Sequence, residues 1–277
     1  MASDDEAIDG QGAIQANRDA WNASAAHHLT SARHERLLNG FAKPGFSCLD
    51  DLIEQRLKAL GVTGKNVAHL CCNNGCEILS VKNLGAARAV GFDQAGEFLK
   101  QGEALRAAGN IDCELIETDV HEIDASFDGA FDIVLITIGA LGWMPDIGRF
   151  FGIVDRLLRQ GGALCIHEQH PIMNMTEPFE PNPDPTRLTH SYFKPEPFAE
   201  IGPIVYDGQP VSGDERHYWF VHTLGDTLSA CLDQGFAIEH YKEYPHNISG
   251  ADFDIYDDQP AQLPQCYMLV ARKGGAT

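Results

Sequence analysis

Residues 67–77 read VAHLCCNNGCE, an apolar run that passes through a polar turn into a helical segment. NVAHLC (66–71) predicts a strand, and Gly75 opens the following helix. A strand that leads through a tight turn into a helix is the first unit of a nucleotide-binding α/β fold, where such turns usually carry two or three glycines. Here Cys71 and Asn73 accompany a single glycine.

Strands and helices alternate along the chain after this turn. Four more strands are predicted over 87–93, 113–119, 131–139 and 163–170, and two more helices over 97–109 and 146–162. FDIVLITIG (131–139) is almost continuously apolar, as in a strand that is buried on both faces. This alternation predicts an α/β fold with a doubly wound, mostly parallel, Rossmann-like sheet.

The alternation stops after the fifth strand. Residues 171–222 are rich in proline and aromatic residues, which predicts an insertion with one or two hairpins, including a turn at Asp207-Gly208. The pattern resumes with a helix over 223–235 and strands over 236–244 and 265–273, which complete a seven-stranded sheet. An acidic loop without helical periodicity joins the last two strands, so we expect an antiparallel terminal hairpin.

These boundaries divide the chain into four segments. We predict a disordered start and an N-terminal helical cap (1–45), an α/β core (46–170), a substrate-cap insertion (171–222) and the end of the core (223–277).

The charge of the chain excludes several classes of partner. Its 277 residues carry a net charge of −20, and the sequence pI is about 4.8, so the chain should repel phosphate backbones and anionic membranes. No apolar run approaches the ~18 residues that span a bilayer, and the acidic start is unlike a signal peptide. We therefore expect no nucleic-acid partner, no membrane partner and a cytoplasmic location.

The cysteines are interpreted as reduced thiols. The chain has eight of them, and several lie in predicted strands or helices, as small core residues do. The spacing of Cys71, Cys72 and Cys76 does not match the paired spacing of a zinc ribbon, so no metal site is predicted.

Two acidic residues end neighbouring strands. Asp93 lies 18 positions after Gly75, where dinucleotide folds place the acceptor for ribose hydroxyls. Asp119 ends the third strand, where it can accept from an adenine amino group. Either acid alone could simply cap the segment that follows. Together with the turn, they favour a ligand that contains adenosine.

The ordered motifs resemble a known enzyme family. VAHLCCNNGCE, AVGFD, ETDV, FDIVLITIGALGWM and LLRQGGALCIHE follow one another as in the class I S-adenosylmethionine-dependent methyltransferases. The resemblance covers roughly 65–170, while 223–273 looks like the last helix and terminal hairpin of that family. NRDAWNASA resembles the cap helix of small-molecule members. The chain departs from the family at His69, where an acid is usual, and at Cys71 and Asn73, which replace glycines.

The resemblance implies S-adenosyl-L-methionine as the cofactor and S-adenosyl-L-homocysteine as the product. It implies that the turn contacts the methionine part, that the strand-end acids bind ribose and adenine, and that the cap helix reaches the amino-acid end. The cofactor-binding residues implied are Trp21, His28, Cys71, Asn73, Gly75, Asp93, Gln94, Asp119, Val120, Thr137 and Ile138.

The acceptor site is expected between the N-terminal helix, the loop over 139–144 and the insertion. The predicted substrate contacts are Trp143, Tyr192, Phe193, Arg216, His217 and Trp219. His170, at the end of the fifth strand, is the candidate base, although it could instead make a loop hydrogen bond. By strand alternation, His167 and Gln169 should face one way, and Glu168 and His170 the other.

We therefore predict a methyltransferase that acts on an oxygen or nitrogen of a small-molecule metabolite by in-line transfer. Such a displacement depends mainly on positioning, and it needs a base only when the nucleophile starts protonated. After the fourth strand the chain has Thr-Ile-Gly-Ala-Leu in place of Asn-Pro-Pro-aromatic, which disfavours methylation of nucleic-acid bases. Two alternatives stay open: a non-catalytic scaffold or regulatory subunit, and an NAD-dependent oxidoreductase. The missing three-glycine pattern disfavours the second.

Overall fold

The computed structural model describes residues 8–178, 183–206, 212–249 and 253–274. These residues form nine strands and seven α-helices, whose bounds are as follows. The strands are β1 (Asn66–Leu70), β2 (Arg88–Asp93), β3 (Glu114–Glu117), β4 (Phe131–Thr137), β5 (Leu158–Gln169), β6 (Phe198–Ile201), β7 (Arg216–Trp219), β8 (Phe236–Tyr244) and β9 (Cys266–Lys273). The helices are α1 (Gly10–Leu29), α2 (Ala32–Phe41), α3 (Asp51–Ala59), α4 (Cys76–Asn83), α5 (Gly96–Gly109), α6 (Ile147–Leu157) and α7 (Leu224–Asp233).

Seven of the strands form one sheet in the order β3-β2-β1-β4-β5-β9-β8. The pairs from β3 through β5 are parallel, whereas β9 pairs antiparallel with both β5 and β8. The predicted doubly wound sheet and its antiparallel terminal hairpin are therefore confirmed. The strand order reverses between β1 and β4, which is where open α/β sheets bind their ligands.

The central strand β4 is buried on both faces, as its apolar run predicts. Val134 and Ile136 pack in a cluster with Phe150 and Val154 of α6. Leu135 packs on the opposite face of the sheet, in a cluster that includes residues of α3 and α4. Layers on both faces leave only the strand ends available for a site.

Two elements differ from the sequence prediction. β5 begins at Leu158, where helix α6 has already ended, rather than at residue 163. Leu158 pairs with Phe131, and the register then shifts before Ile133. The glycines that the sequence pattern places at the end of the preceding helix therefore belong to an irregular strand. The predicted N-terminal helical segment is two helices, because Ser31 caps α2 by accepting the N–H of His34 at 3.2 Å.

The insertion contains one antiparallel hairpin, β6–β7, among its described residues. The predicted turn at Asp207-Gly208 lies outside the residues that the structure describes. Among the described helices, none combines the length and the apolar character that a membrane span requires.

Polar contacts attach this hairpin segment to α1. The buried side chain of Asn17 donates to the carbonyl of Tyr218 at 3.0 Å and accepts its N–H at 2.7 Å. The hydroxyl of Ser24 accepts the N–H of Ile204 at 2.8 Å. These contacts hold the insertion over the carboxyl ends of the parallel strands.

Candidate active site

A cavity of about 880 Å³ lies at the carboxyl ends of the parallel strands. Its walls come from the turn after β1, the ends of β2 to β5, helices α1 and α2, and the insertion. All of the residues implied for cofactor binding line it except Gly75. The cavity therefore joins the predicted cofactor region to the predicted cap.

The turn after β1 has left-handed backbone at alternate positions. The φ angles of Cys71, Asn73 and Gly75 are 55°, 52° and 70°. These are the three positions that the resemblance aligns with the glycines of the family turn. The chain thus adopts a glycine-type turn with two residues that carry side chains, at a strain of about 1–2 kcal/mol for each non-glycine residue.

Gly75 is required by its backbone conformation and by the close approach of β3. A Cβ atom at this position would lie 2.7 Å from Cδ2 of Leu115 in β3. Its positive φ and this close approach to a neighbouring strand both demand glycine. Gly75 therefore shapes the turn without lining the cavity itself.

His69 replaces the acid that is usual in the family turn. Its ring is buried, and Nε2 lies 2.9 Å from the hydroxyl of Thr137 at the end of β4. Burial lowers the pKa of His69 to about 4, so the ring is neutral near pH 7. The side chain ties β1 to β4 beneath the cavity.

Asp93 joins the end of β2 to the turn. Its carboxylate accepts the N–H of Asn73 at 2.7 Å and the N–H of Ala95 at 2.8 Å. Burial raises the pKa of Asp93, and hydrogen bonds from these amides oppose the rise. Gln94 follows in the cavity wall, with its amide 3.4 Å from the carbonyl of Ile14.

Asp119 occupies the corresponding position after β3. Its Oδ1 accepts the N–H of His121 at 2.9 Å and lies 2.8 Å from Nδ1 of the same residue. Burial acts to raise the pKa of Asp119, but the hydrogen bonds from His121 hold it below its ordinary value. The residue both caps the short helical turn at Val120 and lines the cavity.

A buried carboxylate fixes the loop after β4. Oε1 and Oε2 of Glu168 accept the N–H groups of Gly139 at 2.5 Å and Leu141 at 3.2 Å. Burial raises the pKa of Glu168 to about 7, and these amides oppose the rise. This loop leads from Thr137 and Ile138 to Trp143, so Glu168 sets the position of the wall between the two ends of the cavity.

The residues implied on α1 also line the cavity. The ring of Trp21 packs edge-on against Phe98 and Trp143, with both centroid distances 5.4 Å. Nε2 of His28 lies 2.8 Å from the carbonyl of Ile204 in the insertion. Both side chains therefore connect the cofactor region to the cap.

Arg33 of α2 is a cavity residue that the sequence analysis missed. It lines the cavity, and it has no hydrogen-bond or salt-bridge partner within the part of the chain that the structure describes. No motif marks it, because its place depends on how α2 packs. Among the described lining residues it is the only Lys or Arg.

Cys48, Cys76 and Glu77 stand at the same end of the cavity as Arg33. Their sulfur and carboxylate atoms lie within 4.8 Å of one another, a spacing that could hold a metal ion. A hydrogen bond with Cys48 and burial both raise the pKa of Cys76, which favours the thiol over a metal-binding thiolate. The charge of Arg33 also interacts with Cys76 and Glu77 and opposes a second cation there.

The structure brings only some of the predicted substrate residues to the cavity. Trp143, His217 and Trp219 line it. Tyr192 instead turns its hydroxyl to the N–H of Leu224 at 3.1 Å, and Phe193 is 77% exposed. Arg216 alternates with His217 along β7 and is exposed on the other face of the hairpin.

His170 lies away from the cavity. Its Nδ1 accepts the N–H of Ile172 at 3.1 Å, and its Nε2 lies 3.1 Å from Glu243, so both ring nitrogens are engaged in loop and strand contacts. His167, on the opposite face of β5, lines the cavity together with Gln169. Burial lowers the pKa of His167 to about 4. The face that opens to the cavity is therefore the one that carries His167.

The lining of the cavity fits S-adenosyl-L-methionine. Its described residues include one guanidinium, of Arg33, and the six carboxylates of Asp50, Glu77, Asp93, Asp119, Glu177 and Glu200. The cofactor carries a sulfonium, an ammonium and one carboxylate, so its net positive charge suits an acidic cavity. Asp93 and Asp119 stand at the strand ends where ribose and adenine acceptors are needed.

Comparison with known proteins agrees with the fold and with the expected enzyme class. Residues 67–162 match the family model described as a methyltransferase domain. No curated protein matches the sequence significantly.

Solved structures of S-adenosylmethionine-dependent methyltransferases share the fold. One from Mesorhizobium loti is 21% identical and has a TM-score of 0.53, with 79% of this chain and 96% of that chain covered. One from Methanosarcina mazei is 15% identical, with a TM-score of 0.57 and coverage of 82% and 99%. One from Clostridium acetobutylicum is 14% identical, with a TM-score of 0.56 and coverage of 90% and 98%.

The family match confirms the expected enzyme class and its cofactor, S-adenosyl-L-methionine, with S-adenosyl-L-homocysteine as product. Over residues 67–162, this chain is therefore similar to a methyltransferase domain, as its ordered motifs indicate.

Proposed function

We propose that the chain transfers a methyl group to an oxygen or nitrogen atom of a small-molecule metabolite by in-line displacement. The observation that supports this proposal is the continuity of the cavity, which is lined by the turn at Cys71 and Asn73 and also by His217 and Trp219 of the cap. An acceptor against the cap and a cofactor on the turn would share one space. Water is excluded from such a space when both are bound.

When bound, the cofactor supplies an electrophilic methyl group on a sulfonium sulfur. Asp93 accepts from the ribose hydroxyls, since its carboxylate is already held in place by the amides of Asn73 and Ala95. Arg33, which has no hydrogen-bond or salt-bridge partner among the described residues, pairs with the cofactor carboxylate. Most of the acceleration then comes from holding the acceptor in line.

His167 orients the acceptor. Its pKa of about 4 keeps the imidazole neutral at physiological pH, so it can hydrogen-bond an acceptor but holds a proton only weakly. Nε2 of His167 has no hydrogen-bond partner among the described residues.

The composition of the chain supports a small acceptor in a cytoplasmic setting. A net charge of −20 opposes binding to nucleic acid and to anionic membranes. All eight cysteines are free, which is typical of a reducing compartment.

Calorimetric titration with S-adenosyl-L-homocysteine, with NAD as the control ligand, tests the proposal. We expect saturable binding of the first ligand only. Asp93→Ala should weaken it by about 1–3 kcal/mol, the range for losing a charged hydrogen-bond acceptor. The matched control is Asp112→Ala, because the side chain of Asp112 is 100% exposed and lies outside the cavity.

Three outcomes would contradict the proposal or its parts. If the folded protein binds neither ligand, it is a scaffold, and if it prefers NAD, it is an oxidoreductase. Unchanged affinity in a folded Asp93→Ala variant would remove the ribose role from Asp93.

A further inference from the structure

The cap side of the cavity carries a continuous set of rings and carboxylates. We call this set the acidic wall, and its members are Glu177, His190, Phe198, Glu200, His217 and Trp219. All six line the cavity, and none of them is among the residues that surround the turn and the strand-end acids.

Strand alternation explains why these side chains share one surface. Phe198 lies opposite Trp219 in the β6–β7 hairpin, and Glu200 lies opposite His217. Residues two apart on a strand point to the same face, so all four face the cavity. The intervening Tyr218 lies against Asn17 of α1 instead.

The members of the wall contact one another in sequence. Glu177 hydrogen-bonds His190, whose ring centroid lies 4.8 Å from that of Phe198. Trp219 packs at 5.0 Å against Trp143, which leads back to the loop after β4. The wall therefore adjoins the loop that Glu168 fixes beside the proposed cofactor position.

The charge of the wall selects among acceptors. Its six members include two carboxylates and no lysine or arginine, although Lys194, which does not line the cavity, places its Nζ 5.0 Å from the centroid of the Phe198 ring. Arg33 lines the cavity beside Cys76 and Glu77. Carboxylates and aromatic faces both attract an organic cation, and both repel an anion. An acceptor with a carboxylate or phosphate would meet Glu177 and Glu200 on this wall, none of whose six members is a lysine or arginine.

His217 combines burial with an unused nitrogen. It is 7% exposed, its Nε2 lies 3.4 Å from Oε2 of Glu200, and its Nδ1 has no partner among the described residues. The carboxylate of Glu200 favours the tautomer with the proton on Nε2, which leaves the unshared pair on Nδ1. A base that is oriented by a carboxylate is the arrangement used for proton removal in many enzymes.

We propose that the acceptor is a small amine that binds against the acidic wall and is methylated on nitrogen. This inference rests on the proposed function and narrows its substrate class. The bound ammonium gives one proton to Nδ1 of His217, and Glu200 balances the charge on the ring. The nitrogen lone pair then forms the new N–C bond while the bond from the methyl carbon to sulfur breaks, with its electron pair staying on sulfur. The methylated ammonium leaves, and the proton on His217 passes to solvent.

Matched ligand sets test the substrate class. Protein saturated with S-adenosyl-L-homocysteine is titrated in the calorimeter with benzylamine, benzyl alcohol and benzoate, and with butylamine, butanol and butyrate. We expect each amine to bind at least roughly tenfold more tightly than its alcohol and its acid, since only the amine gains a charge-assisted contact. Glu177→Gln and Glu200→Gln should each weaken amine binding by roughly tenfold. Glu196→Gln should not, because Glu196, which is exposed as Glu200 is, lies on the same segment but outside the cavity.

A second variant separates the base from the binding surface. His217→Asn should keep amine affinity within about threefold, while transfer of labelled methyl to the amine falls by about 100-fold. Equal losses of binding and transfer would overturn the role of His217 as the base.

The outcomes distinguish this inference from the proposed function. Binding of S-adenosyl-L-homocysteine with no preference for amines, with no amine binding at all, or with amine binding that survives both glutamate variants overturns the amine inference alone. Failure to bind S-adenosyl-L-homocysteine overturns the proposed function and the inference with it.

Discussion

The cofactor side of the cavity and its cap side are assembled by different kinds of contact. The turn, Asp93 and Asp119 stand at the ends of adjacent strands whose register is set by main-chain hydrogen bonds. The cap hairpin is attached to α1 by a few polar side chains, and Asn17 and Tyr218 are 201 residues apart in sequence. The first arrangement follows from the fold itself, whereas the second depends on individual residues. We therefore expect the cap to loosen or change without loss of the cofactor site.

Gly75→Ala should distort the turn on the cofactor side, and it should cause the largest loss of stability among these variants. A side chain there adopts left-handed backbone and meets Leu115 at 2.7 Å. Strain and overpacking together should lower the free energy of unfolding by roughly 2–5 kcal/mol in urea denaturation. Gly161→Ala is the control, because its φ is 72° with nothing within 4 Å of the new Cβ. Equal losses at the two positions would show that the contact with Leu115 is unimportant.

Glu168 lies between the cofactor side and the cap side of the cavity, and its raised pKa predicts that the folding stability of the protein depends on pH. Its pKa is raised from an ordinary 4.5 to about 7 in the folded protein. The folded state therefore holds this proton more tightly than the unfolded state, and the associated stability is lost as the pH rises from about 4.5 to 7. The full change is on the order of 3 kcal/mol.

Urea unfolding at pH 5 and pH 8 measures this effect. Glu168→Gln should reduce the loss of stability between the two pH values relative to the unchanged protein. The comparison must be made between the two proteins, because His69 and His167, with pKa values near 4, change stability in the opposite direction. The same pH dependence in both proteins would contradict the assignment to Glu168.

Asn17→Ala should loosen the attachment of the cap hairpin to α1. It leaves the N–H and carbonyl of Tyr218 without the partners seen at 2.7 and 3.0 Å, at a cost of about 1–3 kcal/mol. Hydrogen exchange over Arg216–Trp219 should accelerate, while affinity for S-adenosyl-L-homocysteine changes less than about threefold. Asn22→Ala, which removes one exposed hydrogen bond to the N–H of Glu97, should cost within about 0.5 kcal/mol. A parallel loss of cofactor affinity in Asn17→Ala would show that the two sides are not separable.

Asn73→Gly has the smallest expected effect. It relieves left-handed strain at φ 52°, but the more flexible glycine costs about 0.5–1 kcal/mol of backbone entropy. The two terms nearly cancel, so stability should change by less than about 1 kcal/mol, with cofactor affinity retained. Calorimetry that instead shows a loss of affinity would assign a direct contact to the Asn73 side chain.

The same contrast explains what the sequence could predict. The strands β1, β2 and β4 follow from apolar runs, and Asp93 and Asp119 follow from their places at strand ends, because these signals are local. The arrangement of the cap does not follow from local signals, because the sequence around Arg216 and His217 does not reveal which of them faces the cavity. Strand alternation predicts that His167 and His170 lie on opposite faces of β5. It does not predict which of the two faces lines the cavity, because that depends on which helices cover the sheet.

Arg33 illustrates the same limit. It belongs to an amphipathic helix with no motif, and only the packing of α2 against α5 and α1 brings it to the cavity. Likewise, the early start of β5 at Leu158 depends on pairing with Phe131, which no local pattern encodes.

The link between Asn17 and Tyr218 also has a consequence for synthesis on the ribosome. Asn17 of helix α1 is made first, and its partner Tyr218 in β7 is made 201 residues later. At about 5–20 residues per second, the synthesis of Tyr218 follows that of Asn17 by about 10–40 s. The cofactor turn and strands β1 to β5 can form during that interval, whereas β8 and β9, which complete the sheet, are made only after β7.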